Sequence, residues 1–230
     1  MALTSKIGYW TRRRRAGEWM PRKGGPSRTF ADIGSHWCDL MEYVTGERIA
    51  EVFAATTITV PKRPTTASSS FGGASGAGPM QTVTTEDAAT VLFRTESGVL
   101  GNLVVSQVSA GRKNRLWFEF DGAHRSAVFD QENPETLWLG EENAAIVLQR
   151  DPSQGSPEQR RLSRLPAGHA QGYAQCFEAF VEDTYAAVRG DERPGLPTFA
   201  DGLRSAIIVD AVVASARSGN WQQVASMSNP

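Results

Sequence analysis

The sequence predicts an α+β domain in which helices pack on one face of a large, mostly antiparallel sheet. Three observations predict it. From Arg48 to about Gln149, short runs rich in valine, threonine and aromatics recur between Gly, Pro, Asn and Asp. No helical stretch separates these runs, which argues against the strand–helix–strand alternation of a parallel, doubly wound sheet. Helical patterns flank the strand-rich middle on both sides.

The first helix is expected over about 33–44. Ile33, Trp37, Leu40, Met41 and Val44 line one side of it, and Asp32, His36, Asp39 and Tyr43 line the other. The strands follow as "EVFAATTITV", "DAATVLFRT", "GVLGNLVVSQVS", "RLWFEFDG", "SAVFD", "ETLWLG" and "AAIVLQ". "TESG" at 95–98 and "DGAHR" at 121–125 are tight connections between neighbouring strands and imply antiparallel pairing. Between the first two strands, residues 61–80 are rich in Pro, Ser and Gly, with little to bury, and are expected to form a mobile surface loop. Its "GGASGAG" neither follows a strand tightly nor opens a helix, so it is no dinucleotide fingerprint. After an irregular segment at 150–169, Phe177, Phe180, Val181, Tyr185 and Val188 recur at helical spacing until Gly190. A last helix begins after Thr198, its expected N-cap, and stops at Gly219. Phe118, Phe120, Leu103 and Val105 alternate along strands, so a partly apolar sheet face is expected to meet a second copy.

Composition narrows the function classes. A 230-residue chain that is 40% hydrophobic and 21% charged is ordinary for a globular protein. Its net charge of −1 gives no bulk attraction to nucleic acid or to an anionic membrane. No run of about 18 apolar residues exists, and the expected location is cytoplasmic. Cys38 and Cys176 are far apart in sequence and read as small core or near-surface residues, with no metal site expected. The N-terminal segment, residues 1–28, carries Arg12 to Arg15, Arg22, Lys23 and Arg28 with Trp10 and Trp19 interleaved. Such a cluster superficially suggests phosphate or nucleic acid, but a charge run is more often a solvated face. One reading of it is the remnant of an inter-domain junction, with the domain proper at 29–230.

"TFADIGSHWCDL", residues 29–40, concentrates the chemistry, since the chain has only three histidines and one lies here between two carboxylates. Spacing alone leaves two readings open. In one, Asp39 orients His36, whose imidazole takes a proton from a hydroxyl near neutral pH. In the other, Asp32 merely caps the helix, His36 is a partly exposed helix residue and Asp39 is solvated.

"DIGSHWCDL" resembles the D-x-x-x-H motif of the Gfo/Idh/MocA family of oxidoreductases (glucose-fructose oxidoreductase, inositol dehydrogenase, rhizopine catabolism). The likeness extends through "EDAATVLFRTESGVLGNLVVSQVSAGRKNRLWFEFDG" and "PTFADGLRSAIIVDAVVASARSGNWQQV", in the order of that family's C-terminal domain. The resemblance implies His36 as general acid/base and Asp32 as its site partner; Asp39, three residues beyond His36 on the same stripe, is a candidate for substrate binding. It implies a sugar or polyol carbinol as substrate and NAD or NADP as cofactor of the complete enzyme. His169 and Tyr173, in "GHAQGY", are then expected to face the substrate pocket, with helix capping as the equal alternative. Arg112 and Lys113, in "SAGRKNR", are candidates for substrate or cofactor phosphate, or are simply exposed turn cations.

The departures define the expectation further. Upstream of Asp32 no glycine-rich nucleotide fingerprint and no Glu-Lys-Pro motif is recognisable, so no cofactor-binding residues are expected in this chain. Arg125 stands where relatives commonly have glycine, and Gln171 where close relatives tend to carry glutamate. The chain is thus expected to be the substrate domain of an NAD(P)-dependent sugar or polyol oxidoreductase. A non-catalytic sugar-binding or oligomerisation module is the alternative.

Overall fold

The computed structural model describes residues 2–8, 25–64 and 79–226. The Arg12 to Arg15 cluster, Trp10, Trp19, Arg22, Lys23 and the middle of the expected mobile loop lie outside the described residues.

The strands are β1 (Ala2–Gly8), β2 (Ile49–Thr57), β3 (Lys62–Pro64), β4 (Met80–Thr82), β5 (Ala88–Thr95), β6 (Leu100–Ser106), β7 (Trp117–Asp121), β8 (Arg125–Asp130), β9 (Thr136–Glu141), β10 (Ala145–Gln149) and β11 (Gln222–Gln223). Among the described residues, nine of them form one sheet in the order β10-β9-β8-β7-β1-β6-β5-β2-β11. Each expected strand is present and pairs antiparallel with its neighbour in sequence where "TESG" and "DGAHR" turn the chain. Two features differ from expectation. β1 lies within the segment set apart as 1–28, and it runs parallel to β6 and antiparallel to β7. "ALTSKIG" shows no sustained alternation and no turn signal, and a strand with neighbours on both edges does not need them. The ends of the expected mobile loop are also ordered, because β3 and β4 pair with each other.

The helices are α1 (Ser35–Thr45), α2 (Pro157–Leu162), α3 (Tyr173–Val188) and α4 (Phe199–Ser218), with a π-helical turn, Phe30–Gly34, leading into α1. α4 has the expected ends: Thr198 and Asp201 form a capping box, and Gly219 closes the helix at φ 66°. α4 packs along β2 and against α1. The buried Arg204 Nη2 donates 2.7 Å to Glu42 Oε1 and 2.6 Å to the Ile49 carbonyl, tying α4, α1 and β2 together.

Cross-strand register assigns the sheet's two faces. Val52, Phe93 and Gly101 share the helix-covered face, as do Val91 and Leu103, and this face carries the core. Phe93 can lie over the sheet because Gly101 has no side chain: a Cβ there would stand 2.1 Å from Phe93 Cζ. The expectation that Phe118, Phe120, Leu103 and Val105 form an open face is corrected. Leu103 and Val105 are fully buried, Phe118 is nearly so, and Phe120 packs against the same cluster, stacked on Phe118 at 4.6 Å. Alternation shows which residues share a face but not which face is covered. The opposite face exposes Leu92, Leu100, Trp138 and Val147.

α3 corrects a second expectation. Phe177, Phe180, Val181, Tyr185 and Val188 do form one side of a helix, but they point outward and are half or more exposed, or nearly so. The buried side holds Ala179, Ala186 and Asp183. Periodicity reports a stripe and not what the stripe meets.

Candidate functional site

The site forms where the chain enters the π turn beside the end of β6. Such turns insert a residue into a helix and frequently coincide with functional positions. Gly34 makes this one possible, since a Cβ there would collide with the Phe30 ring at 2.5 Å.

Asp32 does not cap the helix. Its own N–H donates to the Arg28 carbonyl at 2.9 Å, so it sits inside the helical turn. The free N–H groups ahead of it are satisfied by Glu86, from the segment before β5: Glu86 Oε1 accepts from Arg28 N at 3.0 Å and Phe30 N at 2.9 Å. Ser27 Oγ donates to the same oxygen at 2.7 Å and accepts from Ala31 N at 3.1 Å. A buried carboxylate from a distant segment thus does what an N-cap side chain would do. The capping reading of Asp32 is overturned, and its carboxylate is left for other work.

Gln107 holds that carboxylate. Its Nε2 donates to Asp32 Oδ2 at 2.8 Å, while its Oε1 accepts from Thr29 Oγ1 at 3.3 Å. The Gln107 N–H donates to the Asp87 carbonyl at 2.9 Å. Asp87 is fully buried and joins two arginines, Arg28 Nη2 at 2.5 Å and Arg63 Nη2 at 2.6 Å, and it also accepts from the N–H groups of Thr59 and Val60. An ionised buried carboxylate is tolerable only with such a set of partners. Residues 27–32, the base of the β3–β4 ladder and the end of β6 are therefore one hydrogen-bonded body.

His36 is exposed at the start of α1, one turn beyond Asp32, and Asp39 and Tyr43 continue the exposed stripe. Partial burial and the neighbouring Asp201 and Glu42 carboxylates push Asp39 above the ordinary carboxylate value, against the opposing pull of His36. At Glu42, burial pushes the carboxyl up, but hydrogen bonds from Arg204, the Ile49 N–H and Arg48 outweigh it and hold the group below its ordinary value. Cys38 is buried beside Glu42, and that burial raises its thiol far above the reactive range.

Arg112 and Lys113 are exposed in the turn after β6, at the same end as Gln107, and Arg112 pairs with Glu132 at 2.6 Å. His169 and Tyr173 lie elsewhere. Arg150 Nη2 donates to the His169 carbonyl at 2.7 Å and pairs with Glu135 at the start of β9, while Tyr173 stacks on Phe177. His169 is thereby tied to the start of β9, towards the opposite edge of the sheet from β2. Gln171 is a structural clamp: its N–H meets Glu135, and its side chain meets Arg164 N and the Leu162 carbonyl. Arg125 pairs with Glu141 at the β8–β9 edge.

Glu86, Asp87 and Gln107 were not singled out in the sequence. Gln107 had a signal, because it continues the inward alternation of Leu103 and Val105 with a polar side chain.

A dinucleotide cradle needs helix N-terminal N–H groups open to a pyrophosphate, and two helix starts of this chain are not open. The start of the π turn is occupied by the Glu86 carboxylate, and the start of α4 by the Asp201 carboxylate. Both would repel a diphosphate.

Known proteins are similar to this chain in sequence and fold. The family model for the GFO/IDH/MocA C-terminal domain matches residues 2–128, more than half of the chain. Levoglucosan dehydrogenase from Pseudarthrobacter phenanthrenivorans is 28% identical over 216 residues, which cover 88% of this chain and 53% of that protein. An oxidoreductase domain protein from Kribbella flavida matches with a TM-score of 0.81 at 28% identity, covering 98% of this chain and 59% of its own. A levoglucosan dehydrogenase in complex with NADH and L-sorbose shares the fold at a TM-score of 0.81 and 23% identity, covering 99% and 59%. The chain spans about half the length of the curated relative it matches.

Proposed function

The chain belongs to the GFO/IDH/MocA C-terminal domain family, and from that premise we propose that it is the substrate domain of an NAD(H)-dependent oxidoreductase acting on a carbinol of a sugar or polyol. His36 is its general acid/base and Asp32 the carboxylate beside it. One observation carries this reading: Glu86 takes over the capping duty, and Gln107 then fixes an Asp32 carboxylate that has no role in ending the helix.

His36 takes the proton from the substrate hydroxyl in oxidation and returns it in reduction, which suits an imidazole near neutral pH. Asp32, whose carboxylate accepts from Gln107 Nε2, lies one turn before His36 on the same side of the helix, where it orients the imidazole or a substrate hydroxyl. Asp39 extends the polar stripe on which substrate hydroxyls would rest. Nicotinamide, bound by another domain, supplies the hydride acceptor. The levoglucosan dehydrogenase structure with NADH favours NAD(H) for this role. Oligomer contact belongs on the outer sheet face with Leu92, Leu100, Trp138 and Val147.

The test is Asp32→Asn in the complete oxidoreductase. Turnover should fall by at least about tenfold, as for loss of a charge beside a proton-transfer group. Thermal stability should hold within about 1 kcal/mol, because the cap is elsewhere. Unchanged turnover would remove Asp32 from the catalytic group.

A further inference from the structure

Asp32 is held at two points, and both lead to one buried residue. The first point is its backbone. Asp32 N–H donates to the Arg28 carbonyl at 2.9 Å, and Arg28 is itself fixed twice. Its N–H donates to Glu86 Oε1 at 3.0 Å, and its guanidinium Nη2 donates to Asp87 Oδ1 at 2.5 Å. The second point is the side chain. Gln107 Nε2 donates to Asp32 Oδ2 at 2.8 Å, and the Gln107 N–H donates to the Asp87 carbonyl at 2.9 Å. The two routes therefore meet at Asp87, whose side chain is fully buried. Asp87 is anchored from a third direction as well: Oδ2 accepts from the N–H groups of Thr59 at 2.8 Å and Val60 at 2.7 Å, and Oδ1 accepts from Arg63 Nη2 at 2.6 Å.

Burying the Asp87 carboxylate calls for a countercharge and hydrogen bonds, and either arginine together with the two N–H groups would supply them. The two arginines are also similar in burial, at 7% exposed for Arg28 and 15% for Arg63. They differ in what lies behind them. Arg63 belongs to β3 and leads away from the site, whereas Arg28 stands just before the π turn and carries the carbonyl that receives Asp32. We propose that Arg28 is a positioning residue for the Asp32 carboxylate. Its ion pair with Asp87 pins the entry to the π turn, so that Asp32 and, one turn on, His36 stand in a fixed relation to the end of β6. Arg28 acts through Asp32 and not on the substrate. The proposal rests on the reading of His36 and Asp32 as the proton-transfer group, and it adds what sets their placement. A misplacement of about 1 Å can cost on the order of a hundredfold in rate, so a buried side chain that never meets substrate can govern turnover.

Arg28→Met and Arg63→Met test this as a pair, because each removes one guanidinium from the same oxygen and leaves Asp87 with the other. In the chain alone, the Asp32 amide should exchange at least about tenfold faster in Arg28→Met than in the parent, and within about threefold of the parent in Arg63→Met, with amides of β5 and β6 unchanged in both. Equal protection of Asp32 in the two variants would overturn the proposal. Arg28→Lys, which keeps a cation for Asp87, should bring exchange back to within about threefold of the parent; a loss as large as that in Arg28→Met would show that the ion pair is not what holds the turn. In the complete oxidoreductase, assayed on whichever of a panel of sugars and polyols the parent turns over fastest, Arg28→Met should lower kcat by about 10- to 100-fold with KM within about threefold, and Arg63→Met should leave kcat within about twofold. In an Asp32→Asn background, Arg28→Met should add little, since both changes act through one carboxylate. A full second loss there would place the action of Arg28 elsewhere and end the proposal. The two readings fail separately. Parent-level kcat in Arg28→Met beside a slow Asp32→Asn removes the positioning role alone. Parent-level kcat in Asp32→Asn removes Asp32 from the chemistry, and the exchange of its amide still decides whether Arg28 places it.

Discussion

The two halves of the sheet are finished differently. Over β2, β5 and β6, α1 and α4 bury Trp37, Phe93, Leu103 and Ile208 to within 1% of full burial, and Glu42 with Arg204 and Gln107 with Asp32 form polar pairs beside them. Around β8, β9 and β10 the strands remain half exposed, and α3 turns its aromatics to solvent. The first half has the packing of a completed domain. The second has the surface of something that awaits a neighbour. The proposed catalytic group lies on the completed half, where Glu86, Asp87 and Gln107 are rigidly held, and this suits a site that must keep its geometry.

If the completed half is the stable one, its buried ion pairs should be its most sensitive points. Glu42→Ala leaves Arg204 buried without its carboxylate and should cost roughly 3–5 kcal/mol in urea unfolding; Asp87→Ala, which removes the carboxylate shared by Arg28 and Arg63, should cost a similar amount. Glu42 also sets a pH signature. Its folded-state value is lowered, so its contribution is complete above the unfolded glutamate value of about 4.3 and is lost as pH falls through the lower folded value. Comparing Glu42→Gln with the parent at pH 7 and at pH 3 should show the difference shrinking at the acid end.

Overpacking the same half should cost less. Gly101→Ala drives a methyl into the Phe93 ring and should destabilise by about 1–3 kcal/mol. On the outer face of the same strands, away from the helices, Leu92→Lys with Leu100→Lys should leave stability within about 0.5 kcal/mol, as for surface substitutions. If that face joins two copies, the pair of changes should halve the mass in light scattering. An unchanged mass would remove the outer face from the account.

A small effect of opposite sign is expected at Asp39. Its folded-state value is raised, so its favourable contribution is present below the unfolded aspartate value of about 3.9 and is lost as pH rises through the folded one. Charged Asp39 therefore costs stability at neutral pH. Asp39→Asn should raise stability at pH 7 by less than about 1 kcal/mol, because the group is largely exposed and screened, and should give no gain at pH 3.

Much of this was legible in the sequence for identifiable reasons. The strands from Ile49 to Gln149 announced themselves because β-branched and aromatic runs end at Gly, Asn and Asp turns, and Thr198 and Gly219 bounded α4 by their backbone chemistry. The stripe of Asp32, His36, Asp39 and Tyr43 was visible because a helix has a fixed period. What stayed hidden depends on partners distant in sequence. Glu86 lies 56 residues from the Phe30 N–H that it caps, so Asp32 looked like the cap. Leu103 and Phe118 looked like candidates for an open face because alternation is blind to which face a helix covers. The outward direction of the α3 stripe was hidden because periodicity gives a stripe and not what covers it.

The central claim is that His36 moves the substrate proton, and the most direct measurement is the turnover of His36→Ala in the complete oxidoreductase at saturating cofactor. Turnover should fall by about 10²- to 10⁴-fold, with the cofactor dissociation constant and the melting temperature unchanged. Turnover within threefold of the parent would contradict the account.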